Sequence, residues 1–159
     1  MPPPCPEPAT LLTLPNLAAT DRLAARLAPA ARPGDALLLD GPLGAGKSAF
    51  ARAFLRALTG DPGLEVPSPS FTLVQSYDVP ATGFVAHHFD LYRLDGPAGL
   101  AELGWEEALD GILLVEWPDR LGSLRPAYAL ALTLAFGATG TARVARLQGW
   151  PNRLGPLLA

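Results

Sequence analysis

The chain has 159 residues, of which 49% are hydrophobic and 17% charged, with a net charge of −3. That much apolar material in one domain's length of chain excludes wholesale disorder. The acidic balance excludes a broad basic footprint for gripping nucleic acid, so any RNA is expected to be held by a partner.

Residues 1–8 (MPPPCPEP) read as a flexible proline-rich leader and 9–159 as a single domain. Cys5 is the one cysteine, so no internal disulfide is available, which fits a reducing, cytoplasmic setting. The N-terminus has neither a basic n-region nor an apolar h-region, so no secretory signal is expected. The most apolar run, 127–136, is too short for a bilayer, which needs about 20 residues.

In chain order, 10–14 is a short strand and 17–27 an amphipathic helix with Asn16 as its N-cap. Residues 35–40 (DALLLD) form a strand buried on both faces. After a glycine-rich turn, 47–58 is a helix with Phe50, Phe54 and Leu58 at i, i+4, i+8, stopped by Gly60. A Pro- and Gly-rich loop, 61–69, leads to strands at 71–77 and 84–89. Residues 97–109 are helical but broken at Gly104, and 112–116 is another buried strand. Segments 130–136 and 143–148 flank a Gly-Ala-Thr-Gly turn and form a C-terminal β-hairpin. The class is therefore α/β: a three-layer P-loop fold with a mostly parallel sheet and an antiparallel excursion at its end.

The decisive string is Gly41-Pro42-Leu43-Gly44-Ala45-Gly46-Lys47-Ser48, which meets G-x-x-x-x-G-K-[ST] at every fixed position. A triphosphate is a dense anion that needs several N–H donors converging on it. Glycines let the backbone curl so that N–H groups face inward, and the following helix adds its unpaired donors and positive dipole end. Lys47 reaches the β- and γ-phosphates, and the Ser48 hydroxyl ligates Mg²⁺. Of twelve basic residues eleven are arginine, and the one lysine stands at this position. A guanine-reading Asn/Thr-Lys-x-Asp motif needs a second lysine, so ATP is expected over GTP.

Such a loop needs acids at the carboxyl edge of the sheet. Asp90 follows 84–89 and Glu116 closes 112–116, and the residues alone do not divide roles between them. Asp40 precedes the loop and reads as structural. His88 shares a strand face with Asp90, while His87 faces away. Ser68, Ser70 and Thr72 make a hydroxyl-rich entry where a γ-phosphate-sensing switch would sit. Arg93, Arg120 and Arg125 are candidate transition-state or partner contacts. A small-molecule kinase or a nucleotide-dependent switch on the same fold are the alternatives to an ATPase.

The ordered motifs GPLGAGKSAF, SPSFTLVQSY, HHFDLYRL, ELGWEEAL and LLVEWPDRL resemble the TsaE family over roughly residues 14–147. The resemblance implies a compact P-loop fold that binds ATP and Mg²⁺ and hydrolyses ATP slowly when alone. It also implies association with the TsaB–TsaD complex, which modifies tRNA at the adenosine beside the anticodon. The ATP cycle would reset that complex between turnovers, contact with tRNA would be indirect, and no membrane is involved. By the same resemblance Lys47 and Ser48 match the phosphate and Mg²⁺ ligands. Asp90 and His88 match the H-x-D-L-Y-R-L motif, and Glu116 matches the E-W glutamate near Mg²⁺ and the attacking water. Thr72, with the SPSF before it, matches the switch segment. The family's hairpin often carries Gly-Arg near the nucleotide. Here Gly140 is followed by Thr141, and Arg143 lies two further on.

Overall fold

Leu37, Leu38 and Leu39 are at most 1% exposed, because the strand that holds them is covered on both faces. A computed structural model describes residues 8–159, so Cys5 and positions 1–7 of the expected leader lie outside the described residues. The elements are β1 (Thr10–Leu14), α1 (Leu17–Leu27), β2 (Ala36–Asp40), α2 (Lys47–Thr59), β3 (Val74–Val79), β4 (Phe84–Asp90), α3 (Trp105–Ala108), β5 (Ile112–Glu116), β6 (Leu130–Phe136), β7 (Arg143–Gln148) and α4 (Leu154–Leu158).

All seven strands join one sheet in the order β1-β7-β6-β2-β5-β4-β3. The central four, β6-β2-β5-β4, are parallel. β7 and then β1 extend one side antiparallel, and β3 extends the other. The parallel character expected from the sequence thus belongs to the middle of the sheet, and both margins are antiparallel.

Successive residues of the central strands point to opposite faces, so each face builds its own core. Leu37, Leu39, Ile112 and Leu114 join Phe50 and Phe54 of α2 and Leu23 and Leu27 of α1 on one side. Leu38, Leu113 and Val115 join Phe89, Leu91, Trp105 and Leu121 on the other. Phe89 meets Trp105 edge to face with centroids 5.2 Å apart, and burying each such side chain contributes about 1.5–3 kcal/mol.

Local chemistry sets the helix ends. The Asn16 side chain accepts from the Ala19 N–H at 3.0 Å, as the capping expectation required. α2 ends at Gly60, whose φ of 73° is the left-handed C-terminal stop. Two expectations shift. Strand β3 starts at Val74 rather than at 71, because Leu73 takes φ 67° and turns the chain before pairing begins. Residues 97–109 form two 3₁₀ turns and the short α3, with Gly104 at φ 76° between them. The closing α4 had no counterpart in the sequence reading. Among the described residues no helix is long and apolar enough to cross a membrane.

Parallel pairing of β2, β5 and β4 brings their carboxyl ends to one edge. Glu116 stands opposite Leu39 on one neighbour and opposite Asp90 on the other. Asp90 and Glu116 therefore emerge side by side, and Asp40, one residue past Leu39, leads into the loop that joins β2 to α2.

Candidate functional site

The glycine loop leaves β2 and curls back on itself. Gly41 adopts φ 140°, and a Cβ there would strike the Leu134 carbonyl oxygen of β6, so only glycine fits. The Asp40 carboxylate accepts from the Gly41 N–H at 2.8 Å and fixes the start of the turn, the structural part expected of it. Gly44 and Gly46 also have positive φ (80° and 108°), and Gly46 opens α2. The first turn of α2 carries no acid or side-chain cap, so its N–H groups face the cleft unneutralised.

Lys47 is 5% exposed. Its ammonium donates to the carbonyls of Gly41 and Pro42, the latter at 3.0 Å, and lies 4.2 Å from the centre of the Trp117 ring. Burial pulls its pKa below the ordinary lysine value, partly opposed by the carboxylates of Glu116, Asp40 and Asp90. The lysine is thus held in the loop by neutral acceptors that an anionic ligand would outbid.

Ser48 donates its hydroxyl to Glu116 Oε1 at 2.9 Å. Glu116 Oε2 lies 2.6 Å from His88 Nε2, a fully buried contact. Asp90 is held from two sides: Oδ2 accepts from the Ser68 hydroxyl at 3.1 Å and Oδ1 from the Tyr92 N–H at 3.1 Å. These groups surround a cleft of about 280 Å³ whose lining includes Gly44, Lys47, Ser48, Asp90, Glu116 and Trp117.

Ser48, Asp90 and Glu116 were expected near a metal, and the structure brings all three to this cleft. Among the described residues no set of three or more His, Cys, Asp or Glu is placed to hold a metal ion by itself. The donors present are two carboxylates and a hydroxyl, all hard oxygens. Such a set fits Mg²⁺, which keeps several waters and takes the rest of its shell from substrate phosphates.

Other expectations distribute unevenly. Ser68 and Ser70 line the cleft, whereas Thr72 is exposed and outside its lining. Their neighbour Phe71 is 83% exposed, with the Arg93 guanidinium 4.5 Å from its ring centre. Arg120 pairs with Asp119 at 3.1 Å, Arg125 is exposed, and neither they nor Arg93 line the cleft. His87 contacts the Ser76 hydroxyl at 2.8 Å, away from the cleft as its strand parity demands.

Arg143 reaches the loop from behind. Its Nε and one terminal nitrogen donate to the carbonyls of Ala45 and Gly44, each at 3.2 Å, and the guanidinium lies 4.9 Å from the Phe136 ring. It also borders a small recess with Leu17, Thr20 and Thr141. The hairpin arginine of this chain therefore touches the back of the cradle despite its shifted place in sequence.

Trp117 and Tyr92 are lining residues that no sequence argument singled out. Their rings contact one another at 4.9 Å. The available signal was position, since each follows within two residues of a strand-ending acid. Trp117 has φ 60° and Leu73 φ 67°. Both are side-chain-bearing residues in a costly backbone region beside the cleft, where strain is characteristically kept.

A family model described as threonylcarbamoyl adenosine biosynthesis protein TsaE matches residues 14–144. The chain is 42% identical over 110 residues to the tRNA threonylcarbamoyladenosine biosynthesis protein TsaE of Rickettsia felis, covering 69% of this chain and 63% of that one. It is 44% identical over 101 residues to the protein of that name from Rickettsia conorii, covering 63% and 56%. Against the one from Bacillus subtilis it is 33% identical over 119 residues, covering 72% and 70%. The chain thus spans less than two thirds of the length of the two Rickettsia relatives. Among solved structures, that of Bacillus subtilis YdiB superposes with a TM-score of 0.74 at 28% identity, covering 94% of this chain and 91% of that one.

Proposed function

Because the chain belongs to the TsaE family of threonylcarbamoyl adenosine biosynthesis proteins, we propose that it is the Mg²⁺-dependent ATPase of the tRNA threonylcarbamoyladenosine machinery. In this reading it works in the cytoplasm on a TsaB–TsaD complex, resets that complex between turnovers, and meets tRNA only through it. The observation that carries the ATPase part is the convergence of Lys47, Ser48, Asp90 and Glu116 on one cleft at the head of α2.

Residues 41–48 supply inward N–H groups and the dipole of α2 to the phosphates. Lys47 exchanges the Gly41 and Pro42 carbonyls for phosphate oxygens, a trade of neutral for charged acceptors. Ser48, Asp90 and Glu116 would hold the metal or its waters, and Glu116 would also orient the attacking water from the adjacent strand end. Bound Mg²⁺ supplies neutralisation of the charge that develops on the transferred phosphoryl group. Ser68 and the Tyr92 N–H hold Asp90 in place while this happens.

The test is ATP hydrolysis by the purified chain, alone and with TsaB, TsaD and tRNA, while modified tRNA is scored in parallel. Multiple turnover of the modification that requires ATP and is lost with Lys47→Ala is the expected result. Hydrolysis with no effect on modification would leave the ATPase and remove the proposed partner role.

A further inference from the structure

Glu116 has two carboxylate oxygens, and each has its own protein partner. Oε1 accepts from Ser48, and Oε2 faces His88 Nε2 at 2.6 Å. Parallel pairing sets this geometry. His88 stands opposite Leu114 and Asp90 opposite Glu116, so His88, Asp90 and Glu116 share the sheet face that α2 covers. His88 is 0% exposed and is not part of the cleft lining, so the imidazole does not meet a ligand. The other ring nitrogen, Nδ1, is buried with no hydrogen-bond partner among the described residues.

A carboxylate only accepts hydrogen bonds, so Nε2 is the donor in this contact. The terminal torsion of a glutamate is broad and soft, and a 2.6 Å charge-assisted hydrogen bond removes that freedom. With Oε2 fixed from the core side, Oε1 is left facing the Ser48 hydroxyl and the cleft.

We propose that His88 is a positioning residue that carries its proton on Nε2 and locks the rotation of the Glu116 carboxylate, presenting Oε1 to the metal site beside Ser48. The inference deepens the Mg²⁺–ATP reading and rests on it for the identity of the metal. Outer partners of this kind typically govern metal affinity by about 10–100-fold.

The test has two arms. The first is a long-range ¹⁵N spectrum of the imidazole rings of the chain without nucleotide or metal. Only two histidines are present, and His87→Gln leaves one to observe. A protonated Nε2 and an unprotonated Nδ1 at position 88 are expected. The opposite tautomer, or signals averaged between the two, overturns the proposal.

The second arm compares His88→Leu with His88→Gln, which keeps a donor at the reach of Nε2, after amide spectra show both to be folded. Binding of a non-hydrolysable ATP analogue is titrated in EDTA and then against MgCl₂. His88→Leu is expected to raise the Mg²⁺ needed for half-maximal tightening by about tenfold or more and to leave affinity in EDTA unchanged. His88→Gln is expected to recover most of that loss. Equal Mg²⁺ requirements for wild type and His88→Leu, or a His88→Gln as impaired as His88→Leu, overturn the proposal. Wild-type protein that binds no nucleotide with Mg²⁺ would instead remove the ATPase reading, and the first arm would still decide whether His88 orients Glu116.

Discussion

The Lys47 ammonium sits 4.2 Å from the centre of the Trp117 ring while also donating to two loop carbonyls. The lysine of the glycine loop is therefore parked on an aromatic face, a contact worth about 0.5–2 kcal/mol depending on desolvation. The other tryptophans, Trp105 and Trp150, are buried at 2% and 1% exposure. Binding of an ATP analogue is expected to draw Lys47 off the ring and to change tryptophan emission, with the change absent in Trp117→Phe. Calorimetric binding without any emission change would refute this arrangement.

Lys47→Ala removes the one ammonium in the cradle. Losing two charge-assisted hydrogen bonds to phosphate, at about 1.5–3 kcal/mol each, weakens ATP binding by about a hundredfold or more. Glu116→Gln keeps the shape and is expected to spare nucleotide binding better than turnover, leaving affinity in EDTA unchanged while lowering turnover by about a hundredfold. Equilibrium binding and single-turnover hydrolysis separate the two effects. A Glu116→Gln protein that turns over ATP normally would take Glu116 out of the chemistry.

Asp35 and Arg153 make a two-point ion pair, at 2.8 and 2.9 Å, at the foot of β2. Arg153 also donates to the Ala30 carbonyl at 2.9 Å and lies 4.3 Å from the centre of the Trp150 ring. The Asp35 hydrogen bond raises the Arg153 pKa further. Asp35→Ala leaves a half-buried guanidinium without its carboxylate and is expected to cost about 1.5–3 kcal/mol. Asp119→Ala breaks the exposed Arg120 pair and is expected to cost at most about 1 kcal/mol. Urea denaturation of the two variants measures the contrast, and equal losses would contradict it.

Burial of His87 lowers its pKa below the ordinary histidine value of 6.5. The unfolded chain therefore takes up this proton first as pH falls. Stability contributed here is intact above pH 6.5 and is lost as pH drops from there toward the folded pKa. His87→Gln is expected to flatten that part of the profile, because the titrating ring is gone. Melting temperatures from pH 7.5 to 5 check it, and parallel curves for the two proteins would deny the effect.

Short-range chemistry was legible in the sequence. Strands β2 and β5 announced themselves by uninterrupted apolar residues, α1 by Asn16, α2 by its 3.6-residue period and Gly60. The cradle was legible because few side chains permit its backbone, and the acids because each ended an apolar strand. What escaped depends on distant parts of the chain meeting. Arg153 finds Asp35 across 118 positions, and Arg143 finds Ala45 across 98. β1 joins the sheet through β7 at the opposite end of the chain. The left-handed turns at Leu73 and Trp117 escaped because neither residue prefers that conformation. Those two turns trimmed β3 and aimed the Trp117 ring at Lys47.

Arg143 grips the Ala45 carbonyl from outside the loop, and a trans peptide unit has two ends. The amide proton at the far end of that unit belongs to Gly46 and points away from the guanidinium, on the side where α2 begins. A cation on the oxygen draws electron density along the peptide and makes the opposite N–H a stronger donor. The hairpin thus acts as an electrical bias on the glycine loop from its rear, delivered through the one peptide unit that leads into α2.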